Sequence, residues 1–361
     1  MPHVMDVTMF WGRTSGGVRS YVLAKRHWMA ASADWQHTVA APGVSGAGTL
    51  AMSGVPLPFS GGYRAPLARR ANGDRLARQR PDLFEIGDPY MLAWSALDAA
   101  RQLRVPVVAF CHSNVVALAR RFGGAPAAAW TRRYLRRVYG RCQLVLAPSH
   151  DMANQLREWG IEHVVHQPLG VDTATFCPTQ RDPSWRQALG LSPETRVLLY
   201  AGRFAPEKNL PVLCQAVARL GEPHVLVAIG DGPTPPRGAG VLRLPFTNDR
   251  QALARAMASA DVFVHAGDQE TCGLTVLEAM ACGCPVVARG QAGLAELVDS
   301  AVGASVADGH PDSFANAIAT VLSYNRATLC RAAVDRAQAH GWHAVLPSLF
   351  VRYQRLMEAS T

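Results

Sequence analysis

Two glutamates stand eight residues apart in "ETCGLTVLEAMACGCPVVA", residues 270 to 288, with Cys272, Gly273 and Leu274 between them. Glu270 precedes a helical stretch and Glu278 lies about two turns into it, after which "PVVA" returns to a buried strand. The N–H groups of such a helix start favour an anion. Upstream, "GRFAPEKN" sets Arg203 and Lys208 five apart at a strand-to-helix junction. A guanidinium fork and an ammonium point charge together suit a diphosphate, although a solvated helix start has the same composition. Near the N-terminus, "SGG" at 15 to 17 lets the backbone approach a ligand at Gly16 and Gly17 and opens a helix. His112, in "AFCHSN", ends a strand, where its ring either reaches a ligand or serves the core.

The elements that must carry these loops alternate. "DVTMF", "HTVAAP", "PDLFEIGD", "PVVAFCHS" and "CQLVLAPS" read as strands separated by helices such as "MLAWSALDAARQL". The second half repeats the scheme with "RVLLYAGR", "HVLVAIGDG", "DVFVHAG" and "CPVVARG". Short apolar runs between helices indicate two doubly wound parallel sheets, whose ligands bind beyond the carboxyl ends of the strands. The irregular "VVHQPLGVDTATFCPT" divides them, giving a first domain over 1–170 and a second over 171–345. A last helix over 346–361 is expected to return to the first domain. The eight cysteines form no C-x-x-C pair, which predicts reduced, buried thiols and no structural zinc. No leader-like or membrane-spanning stretch stands out, so a cytoplasmic protein is expected.

Charge is uneven. The net +9 equals the nine arginines found between Asp98 and Asp151, where no acidic residue occurs. Within that stretch, "WTRRYLRRVYGR" at 130 to 141 sets Trp130, Tyr134, Leu135 and Val138 on one helical face. Arg132, Arg133, Arg136 and Arg137 crowd the other face. This is the composition of a helix lying on an anionic membrane, and equally of one whose apolar face packs on a core. A second basic run begins at Arg64. A nucleic-acid-binding role is disfavoured, because the arginines are not interleaved with a stacking aromatic series.

Taken in order along the chain, these motifs resemble the retaining glycosyltransferases of family 4, which have the GT-B fold of two Rossmann-like domains facing a cleft. The resemblance implies that Glu270 accepts hydrogen bonds from donor-sugar hydroxyls and Glu278 holds the ribose. It implies that the backbone at Cys272, Gly273 and Leu274 meets sugar and phosphate. It further implies that Arg203 and Lys208 bind the pyrophosphate, that Gly16 and Gly17 lie beside the phosphates, and that His112 is the active-site histidine. Cys272 departs from the aromatic usual in the family, which puts the shape of the sugar pocket in question. "PLPFSGGYRAPLARR" is loosely similar to phosphatidylinositol mannosyltransferases and suggests a lipid or lipid-linked acceptor. The implied reaction moves a hexose from a UDP- or GDP-linked donor with retention, needing no metal and no cofactor beyond the nucleotide sugar. No D-x-D pair accompanies the donor motif. A soluble acceptor remains an alternative, as does a GT-B sugar-nucleotide 2-epimerase using Glu85 and Asp88 as acid and base.

Overall fold

The computed structural model describes residues 1–12, 16–32, 34–57 and 63–360. The chain divides into two compact units, Met1–Pro168 with Val345–Thr361, and Leu169–Ala344. The first unit holds strands β1 (His3–Val7), β2 (Gln36–Pro42), β3 (Thr49–Met52), β4 (Gly54–Pro56), β5 (Arg64–Pro66), β6 (Leu83–Ile86), β7 (Val107–Phe110), β8 (Leu144–Ala147) and β9 (Val164–His166). Seven of them form a parallel sheet in the order β3-β2-β1-β6-β7-β8-β9, and β4 and β5 make a small antiparallel hairpin. The second unit holds β10 (Arg196–Ala201), β11 (His224–Ile229), β12 (Val241–Leu244), β13 (Val262–His265), β14 (Val286–Arg289) and β15 (Gly303–Val306). They form a parallel sheet in the order β12-β11-β10-β13-β14-β15.

Strands such as "RVLLYA" are apolar almost throughout because helices cover both faces of a parallel sheet. In each unit the strand order reverses once, between β1 and β6 and between β10 and β13. Connections diverge at such a point, so the loops beyond those strand ends leave a crevice. The second unit closes its loops tightly there. A Cβ on Gly230 would stand 2.0 Å from the Gly202 carbonyl, so only glycine lets the β10 and β11 loops approach.

The first unit is held by a buried polar cluster. Asp6 on β1 and Glu85 on β6 are register partners, so two carboxylates share one face of the sheet core. Lys25, from the helix Gly17–Ser32, is completely buried between them, 2.5 Å from Asp6 and 2.9 Å from Glu85. His37 Nε2 lies 2.6 Å from the other Asp6 oxygen, and the Tyr21 and Tyr353 hydroxyls donate to Glu85. Tyr353 belongs to the helix Trp342–Glu358, whose Phe350 also stacks on Trp28 at 4.1 Å. Burial opposes ionisation of Asp6, but Lys25 and His37 outweigh it and hold the carboxyl low. Burial and the neighbouring Asp6 push Glu85 up against the pull of Lys25.

Removing one member of such a cluster strands the others. Lys25→Met should lower unfolding free energy by about 3–5 kcal/mol, read from the urea midpoint. Without the ammonium both carboxyls rise above their unfolded values, so the folded state binds more protons. The deficit should therefore shrink as pH falls towards 5 and grow as it rises to 8.

Candidate active site

In the second unit, two loops meet at the point where the strand order reverses. The first follows β10 and runs from Gly202 through the short 3-10 turn Pro206–Lys208 to Asn209. The second follows β13 and runs from Ala266 to Gly273. Asn209, held in the left-handed region at φ 50°, ties them through a 3.2 Å bond from its Nδ2 to the Ala266 carbonyl.

The structure brings Lys208 and Glu270 into direct contact as an ion pair, each side chain 18% exposed. His265, at the end of β13, stands 3.3 Å from the same Glu270 oxygen. Its Nδ1 accepts from the Gly267 N–H at 3.2 Å, so the ring proton of the neutral tautomer resides on Nε2 and points to the carboxylate. Burial alone would raise the Glu270 carboxyl. The Lys208 ammonium and the His265 ring reverse this and hold it well below the usual carboxylate range. The Glu270 carbonyl accepts from the Gly293 N–H at 2.9 Å, which seats the loop on the turn entering the helix Gly293–Leu297.

Gly273, at φ 81°, caps the helix Leu274–Ala281, and a Cβ there would meet Leu294 at 2.4 Å. No side chain caps this helix and its first turn carries no acid, so its leading N–H groups keep their positive field for an incoming anion. Cys272 is buried, and burial pushes its thiol up to about 12, which makes it a packing residue. Glu278, on the helix and 14% exposed, lies 4.0 Å from Arg250, which also reaches Asp172 at 3.5 Å. Burial dominates here, and with Asp172 it pushes Glu278 up to about 7 despite Arg250. Arg203 is 68% exposed and pairs with Glu207 at 2.9 Å. The motif spacing did not single out His265, Glu207, Asp172 or Arg250. His265 carried a signal, as the polar residue ending the apolar "DVFV" five places before Glu270.

In the first unit, Gly16 and Gly17 open the helix Gly17–Ser32, and a Cβ on Gly16 would meet none of the described residues within 4 Å; Ser15 lies outside the described residues. His112 follows β7 and stacks on Phe110 at 4.2 Å. Burial, with Lys25, pushes it down to about 3, so its ring is neutral at physiological pH. Glu85 and Asp88, the epimerase's acid and base in the alternative reading, are both buried and already bonded within the first unit. Glu85 is locked by Lys25, Tyr21 and Tyr353, and Asp88 is buried, accepting from Thr8 Oγ1 at 2.8 Å and Met9 N at 2.6 Å.

The basic helix requires a correction. It runs from Val115 to Tyr139 with a break at Gly124, and Leu135 and Val138 are core residues with no exposure. Tyr134 is half-buried and donates to the Pro89 carbonyl at 2.5 Å. Of the expected apolar face only Trp130 is exposed, at 68%, because the core of the first unit takes Leu135 and Val138. Arg132, Arg133, Arg136 and Arg137 are exposed. Arg64 leaves that set: it is half-buried and donates to the Gly54 carbonyl through Nε at 3.2 Å and Nη2 at 2.8 Å, binding β4 to β5. Residues 58–62 of "PLPFSGGYRAPLARR" lie outside the described residues.

Residues 15–175 match the family described as Glycosyltransferase Family 4, and residues 195–324 match Glycosyl transferases group 1. A GDP-mannose-dependent alpha-(1-6)-phosphatidylinositol dimannoside mannosyltransferase of Mycobacterium tuberculosis is 30% identical over 366 residues, covering 96% of this chain and 94% of the relative. The chain belongs to glycosyltransferase family 4. A GDP-mannose-dependent alpha-mannosyltransferase of Corynebacterium glutamicum is 30% identical over 79% of this chain and 70% of its own length. Sucrose-phosphate synthase from Thermosynechococcus elongatus shares the fold at a TM-score of 0.80 and 21% identity, over 99% of this chain and 100% of that one. The fold of this family 4 enzyme is GT-B, and its activity is glycosyl transfer from a nucleotide sugar.

The raised Glu278 carboxyl gives a pH test. If Glu278 takes the ribose, as the family resemblance implies, a hydroxyl donating to it selects the ionised form, and nucleoside diphosphate affinity should be full above about pH 7 and fall below it. Calorimetric titrations near pH 6 and pH 8 should differ for the wild type. The Glu278→Gln variant should bind more weakly and with a smaller difference between the two, the remainder belonging to the second ionisation of the diphosphate itself.

Proposed function

We propose that this enzyme transfers a hexose to a lipid or lipid-linked glycan acceptor, with retention of anomeric configuration and without a bound metal ion. The donor is GDP-mannose, which the relatives from Mycobacterium tuberculosis and Corynebacterium glutamicum carry in their names. One arrangement carries the reading: Lys208 and His265 both in contact with Glu270 at the carboxyl edge of the second sheet, just before the helix Leu274–Ala281, which no side chain caps.

In this reaction Glu270, kept ionised by Lys208, accepts hydrogen bonds from sugar hydroxyls, and Glu278 accepts from the ribose. Lys208, Arg203 and the helix start stabilise charge growing on the leaving diphosphate, as a divalent ion does in other transferases. The acceptor oxygen forms its bond to the anomeric carbon on the face from which the phosphate oxygen departs. The acceptor proton passes to that diphosphate oxygen. His112, Gly16 and Gly17 keep the roles implied by the family resemblance. The acceptor is met at the cytosolic membrane face, and two exposed features support this: Phe122 at 79% and Trp130 at 68% exposure, on the helix that carries Arg120, Arg121, Arg132 and Arg133. Among the described residues no helix is long and apolar enough to cross a membrane.

Glu270→Ala should abolish transfer, and Lys208→Ala or Arg203→Ala should cost about 2–4 kcal/mol in kcat/KM. Proton NMR of the product made from the α-linked donor should show an α-linkage, in buffer containing a chelator; a β-linked product or chelator-sensitive turnover overturns the mechanism. For the membrane, vesicles containing anionic lipid should float the wild type at low salt. The combined change of Trp130 to alanine and of Arg132 and Arg133 to glutamine should leave it in the soluble fraction. A wild type that fails to float overturns membrane docking.

A further inference from the structure

Trp94, near the start of the helix Met91–Leu103, is the centre of a basic cluster in the first unit. The guanidinium carbons of Arg69, Arg141 and Arg137 lie 4.9, 5.2 and 5.7 Å from its ring centroid. They arrive from the helix Arg69–Ala77, from the helix Val115–Tyr139 and from the turn after it. One carboxylate accompanies them: Asp98 accepts Arg69 through Nε at 2.6 Å and Nη2 at 2.8 Å, and Arg101 lies 3.5 Å from it. Arg141 is set relative to Arg137 by a 2.5 Å bond from its Nη1 to the Arg137 carbonyl.

The ring itself is fixed. Its Nε1 donates to the Tyr134 hydroxyl at 3.1 Å, and that hydroxyl donates to the carbonyl of Pro89, in the turn that follows β6. The ring is therefore tied to the turn that leaves β6, while Arg137 and Arg141 come from the segment that enters β8.

A guanidinium held over an indole keeps its N–H donors in its own plane, directed past the ring and available to a ligand. Asp98 pairs with Arg69, and Arg137 with its fork and Arg141 with the N–H groups not given to the Arg137 carbonyl gather on one ring, a like-charge arrangement that an oxyanion relieves. A phosphate ester offers oxygens to both at once. We infer that Trp94, Arg137 and Arg141, backed by Arg69 and Asp98, form a subsite for a phosphate ester borne by the acceptor. The inference rests on the reading that the first unit takes an anionic acceptor and names the group by which it is held.

Calorimetry with inositol 1-phosphate and with inositol, and flotation on phosphatidylcholine vesicles with and without phosphatidylinositol, test it. The wild type should bind the phosphate ester and not inositol. The Arg137→Gln/Arg141→Gln double variant should bind the ester at least tenfold more weakly. Trp94→Leu, which keeps every charge and removes the platform, should weaken it as well; nucleoside diphosphate affinity measured on the same samples reports that each variant is folded. Loss of both ester binding and phosphatidylinositol-dependent flotation assigns the phosphate to a lipid headgroup. Loss of ester binding alone assigns it to a soluble ester. Unchanged ester affinity in both variants overturns the subsite, whatever the vesicles show. Transfer assayed separately keeps the two readings apart: no transfer to any lipid, with ester binding intact, overturns the lipid acceptor and leaves the subsite standing.

Discussion

Lys25 sits where the first unit could least tolerate its absence. A parallel register places Asp6 beside Glu85, and two carboxylates so placed in a core would repel at low dielectric. One buried ammonium between them converts the repulsion into a bridge that joins β1, β6 and the helix Gly17–Ser32. His37 adds β2 and Tyr353 adds the C-terminal helix, so residues 328 apart in the chain answer to the same charge. The loops beyond β1 and β6, with Gly16 and Asp88 among them, grow out of strands fixed in this way.

In the second unit each of these cations rests on an acid: Lys208 on Glu270, Arg203 on Glu207, Arg250 on Asp172 and Glu278. Charge that is largely buried, as on Lys208 and Glu270, is costly when uncompensated, and their pairing offsets that cost. The two glutamates of the motif nevertheless differ in state. Glu270 is held ionised by an ammonium and an imidazole, whereas Glu278, with a more distant guanidinium and a neighbouring aspartate, is balanced near neutrality. Sequence-identical side chains thus acquire different acidities from what stands next to them.

The helix Val115–Tyr139 shows how far a periodic pattern reaches. Its apolar stripe and its arginine face were legible in "WTRRYLRRVYGR", because helical spacing alone sorts residues onto faces. The same stripe fits a lipid surface or a protein core, and only the packed sheet settled that Leu135 and Val138 are core while Trp130 is not. The arginines likewise looked equivalent in the sequence. Folding distributed them: Arg64 to a hairpin carbonyl, Arg69 to Asp98, Arg137 and Arg141 to Trp94.

What the sequence determined by itself was whatever depends on local order. The alternation of apolar runs with helical periods specified two doubly wound halves, and motif spacing placed Glu270 in a loop and Glu278 on the following helix. Tertiary structure decided everything that depends on residues far apart in the chain meeting in space. The Asp6–Lys25–Glu85 bridge, the contact of Lys208 with Glu270 across 62 positions and the ring of guanidinium groups around Trp94 leave no periodic trace. Side-chain pairing and desolvation are set by strand order and packing, and neither is written in the spacing of a single segment.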